Sequence, residues 1–127
     1  MWSLPKLDVY GHERLIARDD TTPDPADRTD FGDTLVGGEG TLHIFAMRNR
    51  GDKSLKLSAI NIAGPHSDDF VIEYGQKDEV FHYSMEALHI RFKPKSVGVR
   101  TATVEIHSDE KDKPVYKFAI AGNGTAK

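Results

Sequence analysis

Three runs of strict alternation constrain this chain more than any other feature. Leu88, Ile90 and Phe92 alternate with His89, Arg91 and Lys93. Ala102, Val104 and Ile106 alternate with Thr103, Glu105 and His107, and Tyr116, Phe118 and Ile120 alternate with Lys117 and Ala119. Successive side chains of a strand point to opposite faces, so a period of two with one apolar face means a half-buried antiparallel strand. No long segment places apolar residues at i, i+3, i+4 and i+7, the pattern an amphipathic helix needs. The one short candidate lies around Ser84 to Leu88.

Further strands are expected at 41–49, 55–62 and 70–74, with two short ones at 7–10 and 14–17. In the first, Phe45 and Met47 face inward, which leaves Leu42 and Ile44 on a face that needs a cover. Asn49-Arg50-Gly51-Asp52 reads as a hairpin turn and Gly37-Gly38-Glu39-Gly40 as a flexible connection. Gly64-Pro65 and Lys93-Pro94 end strands, since proline donates nothing to a ladder, and 108–114 is a charged loop. Short strands punctuated in this way predict an all-β, immunoglobulin-like antiparallel sandwich. The expected inward set is Phe45, Met47, Leu57, Phe70, Leu88, Ile90, Phe92, Val104, Ile106, Phe118 and Ile120.

The 127 residues suit one domain, divided here into an N-terminal strand or arm (1–18), an Asp/Pro/Thr-rich connector (19–30) and the body of the sandwich (31–127). A net charge of -3 with basic residues scattered among acids gives no nucleic-acid footprint. The chain has no cysteine, which removes disulfides, thiolate metal sites and cysteine nucleophiles. No segment approaches the roughly 20 apolar residues of a membrane span. The start, Met1-Trp2-Ser3-Leu4-Pro5, lacks a charged stretch followed by an apolar run, so it does not read as a signal peptide. Either the protein is cytosolic or a signal was removed.

Several segments, in order, carry a resemblance to a known family. They are Gly11 with Ile16–Pro23 and Thr29–Gly32; Phe45–Gly51 with Leu55–Leu57; Asp69-Phe70; Phe92-Lys93-Pro94, Gly98 and Arg100–Ile106; and Phe118–Gly124. From about Asp8 onward the chain resembles the bacterial choice-of-anchor D module, which is similar to the ASH (abnormal spindle, hydin) and major-sperm-protein-like branch of immunoglobulin folds. The resemblance implies a repeat unit, spacer, scaffold or docking domain. It also implies a secreted or surface location, with the cytoplasm left open. Such modules usually sit in large multi-domain chains, whereas a single domain is expected here. Each quoted segment also has a physical reading: Phe92 anchors a core, Pro94 stops a ladder, and Gly98 permits positive φ.

Candidate chemistry is thin. Asp19, Asp20, Asp24 and Asp27, with Asp30 and Asp33 beyond, offer hard oxygen ligands suited to calcium. Their spacing is not that of an EF-hand loop, and Asp and Thr are equally good turn residues, the preferred reading here. His89 and His107 are expected on one outward sheet face, where they read as solvated. Serine lacks a Gly-x-Ser-x-Gly elbow, and Gly37–Gly40 is followed by Thr41 and not by a phosphate-binding lysine. Of the outlying aromatics Trp2, Tyr10, Tyr74, Phe81 and Tyr83, the pair Phe81 and Tyr83 alternates with His82 and reads as part of a further strand.

The expected function is therefore a structural or protein-interaction module, without enzymatic activity, cofactor, nucleic-acid partner or membrane insertion. Its partner is a protein or neighbouring domain, or a second copy paired through edge strands. The candidate contact residues are Leu7, Val9, Tyr10, Leu42 and Ile44, with the arm offered as the cover for Leu42 and Ile44. The alternative is a carbohydrate-binding or calcium-dependent adhesive module.

Overall fold

A computed structural model describes residues 6–111 and 114–126. Among these residues ten strands run in chain order: β1 (Leu7–Gly11), β2 (Arg14–Ile16), β3 (Asp30–Leu35), β4 (Thr41–Asn49), β5 (Leu55–Ala63), β6 (Phe70–Tyr74), β7 (Glu79–Val80), β8 (Met85–Phe92), β9 (Gly98–Ser108) and β10 (Val115–Thr125). Two single 3-10 turns, Pro25–Asp27 and Ser67–Asp69, are the only helical pieces among the described residues. The strands form two five-stranded sheets. The front sheet has the order β2-β1-β4-β8-β6 and the back sheet β3-β10-β9-β5-β7. Pairing is antiparallel except between β3 and β10, which run parallel. This is an immunoglobulin-like β-sandwich.

The alternating residues meet between the sheets. Phe45 and Met47 of β4 and Leu88, Ile90 and Phe92 of β8 face Val104 and Ile106 of β9 and Tyr116, Phe118 and Ile120 of β10. Every expected inward residue is buried. Each such side chain contributes about 1.5–3 kcal/mol by leaving water. Phe31 of β3 joins an aromatic cluster, with its ring centroid 6.3 Å from Phe45, 5.5 Å from Phe70 and 6.0 Å from Phe92. Gly98 has φ 111, as its expected turn requires.

The turn at Asn49–Asp52 departs from expectation. It is not a hairpin, because β4 lies in the front sheet and β5 in the back sheet. The chain crosses the sandwich here, and the buried Asn49 side chain makes the corner. Its Oδ1 accepts from the Lys6 and Gly51 N–H groups at 3.0 and 2.9 Å. Its Nδ2 donates to the Lys53 and Val80 carbonyls at 2.7 and 3.0 Å. An asparagine amide offers two donors and an acceptor with two lone pairs, so all four sites are used.

The N-terminal arm folds back into its own sandwich, with β2 at the edge. β1 is an interior strand of the front sheet, between β2 and β4, paired from Leu7↔Asn49 to Gly11↔Phe45. Leu7, Val9 and Ile16 are buried in the core. The end of this hairpin is tied to the back sheet. The Tyr116 hydroxyl donates to the Ile16 carbonyl. Arg18 lies 4.4 Å from the Tyr116 ring centroid and 2.7 Å from Glu110. The connector continues along β10, with Asp19 N–H donating to Lys117 O at 2.7 Å and Ala119 N–H to Asp20 O at 2.7 Å. It packs so closely on the hairpin that a Cβ at Gly11 would lie 1.8 Å from the Asp27 carbonyl oxygen. Arm and connector thus pack against the body of the sandwich.

Candidate interaction surface

The outer face of the front sheet is built by the positions that alternate with its core residues. The register aligns Leu15 with Tyr10, Tyr10 with Ala46, and Ala46 with Ala87, an apolar row across four strands. One row along, Ile44 stands beside His89, which pairs with Tyr74 on β6. In the next row Leu42 pairs with Arg91 and Arg91 with Val71. On the other side of the first row Met85 pairs with Arg48. Ile44 is 52% exposed, Leu15 55% and Met85 60%. A groove of about 630 Å³ runs over this face, lined by Tyr10, Ile44, Ala46, Arg48 and Met85, with His12 and Glu13 at its rim.

His12 and Glu13 form the tip between β1 and β2 with φ 50 and 64. Two successive positive-φ residues give the turn whose twist suits a two-residue hairpin, a place usually taken by Asn-Gly. Two non-glycine residues hold it here, each at a conformational cost of order 1–3 kcal/mol. The tip is anchored from behind, where Arg28 approaches His12 Nδ1 at 3.4 Å.

The expected contact residues separate into two groups. Tyr10, Leu42 and Ile44 lie on this outer face. Leu7 and Val9 do not: alternation along β1 turns them into the core, where they are 1% and 0% exposed. Nor does the arm cover Leu42 and Ile44. β1 lies beside β4 in the same sheet, joined edge to edge by backbone hydrogen bonds, so it extends their face and leaves it open. Met85, Leu15, Ala46 and Ala87 were not expected on this surface, because only the cross-strand register brings them to Ile44.

The aspartates of the connector are spent on local backbone. Asp20 Oδ1 accepts from Thr22 N–H and Oγ1, both at 2.9 Å. Asp24 Oδ1 accepts from Ala26 N–H at 2.8 Å. Asp27, buried, accepts from Thr29 N–H at 3.1 Å and from its hydroxyl at 2.5 Å. Asp19 takes a positive φ of 61. Such short polar side chains bond backbone two residues on, which is turn chemistry. Among the described residues no three His, Asp or Glu side chains converge as metal ligands.

His89 and His107 do not share a face. β8 belongs to the front sheet and β9 to the back sheet, so the two histidines point to opposite sides of the molecule. His43 is turned inward instead. It stacks on Phe31 at 4.2 Å and bonds the Arg28 carbonyl through Nδ1 at 2.7 Å, and burial lowers its pKa. Phe81 and Tyr83 form no strand. They stand 58% and 69% exposed in the turn before β8, where Tyr83 has φ 58. Trp2 lies outside the described residues.

No protein-family model matches the sequence, and no curated protein is significantly similar to it. Solved structures are similar in fold. A protein of unknown function from Porphyromonas gingivalis W83 superposes with a TM-score of 0.66 at 14% identity, over 94% of this chain and 46% of its own length. This chain thus spans under half of that protein. The ASH/PapD-like domain 7 of human CEP192 gives 0.64 at 14% identity, over 100% of this chain and 90% of that one. WR4, a Caenorhabditis elegans major-sperm-protein family member, gives 0.50 at 9% identity, over 98% and 100%. At these identities the likeness is one of architecture, an immunoglobulin-like β-sandwich.

Proposed function

We propose that this protein is a non-catalytic protein-interaction or structural module that meets a protein partner through the outer face of its front sheet. One observation carries the reading. Leu15, Leu42, Ile44 and Met85 remain exposed on one continuous sheet face, beside Tyr10 and its groove. Monomeric soluble proteins rarely expose large contiguous apolar patches without a use for them. The quoted sequence segments favour a choice-of-anchor D-like unit of a larger bacterial surface or scaffold protein. The P. gingivalis likeness, which covers 46% of a longer chain, agrees with a unit of that kind.

The test is a differential capture. Wild-type protein, Ile44→Asp, Met85→Lys and the back-face variant Thr103→Asp are each used as bait, with captured proteins identified by mass spectrometry. A partner retained by wild type and Thr103→Asp, and lost at least tenfold with both front-face variants, supports the reading. Equal capture by all four contradicts it.

The exposed rings of Phe81 and Tyr83 favour a second reading, since aromatics at a loop tip can stack on sugars. A glycan array decides it, with binding abolished by Phe81→Ala the supporting result. For the calcium-dependent form, a rise of several degrees in Tm on adding calcium is the expected sign, because a ligand of the native state stabilises it by mass action.

A further inference from the structure

The sandwich is open, and its four sheet edges are unequally protected. β2 is three residues long and carries exposed Arg14, and β7 is two residues long. β3 has Gly32 at φ 73 between Asp30 and Asp33. Short length, charge and irregular backbone are the usual guards against edge pairing. β6 is different. Phe70-Val71-Ile72-Glu73-Tyr74 has no proline or lysine and is rich in strand-forming residues. Its one irregularity, a bulge between Ile72 and Tyr74, leaves the first three residues regular.

The groups on this edge follow from the ladder. Lys93 N–H donates to Asp69 O at 2.7 Å, and Phe70 pairs with Phe92. Antiparallel residues alternate between facing the neighbour and facing away. Asp69 and Val71 therefore turn their backbone groups toward β8, and Phe70 and Ile72 turn theirs outward. The Phe70 N–H is taken by Ser67 O. The Phe70 carbonyl and both groups of Ile72 therefore point away from β8, along the open edge.

We propose that β6 pairs antiparallel with β6 of a second copy, about a two-fold axis through Val71, joining the two front sheets into one. The sequence is self-complementary in this register. Phe70 lies opposite Ile72 of the second copy, and the Ile72 N–H of each chain donates to the Phe70 carbonyl of the other. Val71, 45% exposed on the outer face, meets its own copy at the axis, where opposed Cα atoms stand about 4.5 Å apart. Asp69 comes opposite Glu73, a contact that would repel if the charges were free. Both are already paired, Asp69 with Arg100 and Glu73 with Arg91, each at 2.7 Å. The apolar outer faces around Leu42 and Tyr74 then adjoin across the axis. Two hydrogen bonds and a small apolar seam make a weak dimer, with a dissociation constant on the order of 100 μM.

Sedimentation equilibrium on the full chain, from about 10 μM to 1 mM, tests this. The mass should rise from 14.1 kDa toward twice that value. Val71→Lys, which sets two ammonium groups against each other at the axis, should weaken the dimer more than tenfold at unchanged Tm. Val99→Lys makes the same change at a valine 68% exposed on β9 and should have no effect. A constant monomer mass, a dimer that survives Val71→Lys, or one equally lost with Val99→Lys would overturn the proposal. The proposed partner face is a separate matter: Ile44→Asp tests it without touching β6, and either idea can fail alone.

Discussion

The two outer faces of the sandwich are built by the same alternation and differ in what they present. The back face carries Thr101, Thr103, Glu105 and His107 on β9 beside Lys117, Ala119, Ala121 and Asn123 on β10. These are small or polar groups that water covers well, and the exposed apolar side chains of this sheet, Val99 and Leu35, are confined to its one end. The front face carries Leu15, Tyr10, Leu42, Ile44 and Met85. The core between the faces is common to both, so the front face gains no stability from its exposed apolar groups. The proposed use by a partner rests on this difference.

If the core is shared evenly, it should fail equally from either side. Phe92→Ala removes a front-sheet ring and Phe118→Ala a back-sheet ring, both buried. Each is expected to lower the unfolding free energy by about 3–5 kcal/mol in urea titrations. A loss under ~1 kcal/mol in one alone would break the symmetry between the sheets. Next in size is the corner joining them. Asn49→Ala leaves the Lys6 N–H and the Val80 carbonyl without their partner, and should destabilise by roughly 2–3 kcal/mol. A neutral result would show that the crossing is fixed by the core alone.

The alternation of β8, β9 and β10 was legible because each turns one apolar and one polar side, which sets its orientation by itself. The core followed directly. β4 was ambiguous for the opposite reason: Leu42 and Ile44 are as apolar as Phe45 and Met47, so the strand says that two faces need burying and not what buries them. The corner at Asn49 was invisible in sequence. Asn-Arg-Gly is good turn chemistry whether the chain returns to its neighbour or crosses to the other sheet, and only long-range pairing decides. The apolar front face was hidden likewise, since Leu15, Ala46 and Met85 stand at positions far apart in the chain.

Two smaller effects test the ties between the sheets. Asp69 ends the 3-10 turn just before β6 of the front sheet and pairs with Arg100 of β9 in the back sheet. Burial opposes its charge, but hydrogen bonds from Arg100 and the Lys95 N–H, with the Arg100 charge, hold its pKa below the ordinary 3.8. A depressed carboxyl stabilises the fold above its unfolded pKa and loses that contribution as pH falls through the folded value. Asp69→Asn should therefore be less stable at neutral pH and show a flatter loss of Tm below about pH 4. An unchanged acid limb would remove the tie. At the other end, burial pushes the Tyr116 phenol up to about 12. Ultraviolet titration should show one of the four tyrosines ionising last, near that value, and Tyr116→Phe should delete that step.

The central claim, that the front face and not the back face receives a protein, is tested most directly by site-specific photo-crosslinking. A benzophenone side chain is placed at Ile44 in one variant and at Thr103 in another, and both are irradiated in the cells that make the protein. The account predicts a discrete higher-mass adduct with a protein from Ile44 and none from Thr103. Adducts from Thr103 alone, or equal labelling from both, would contradict it.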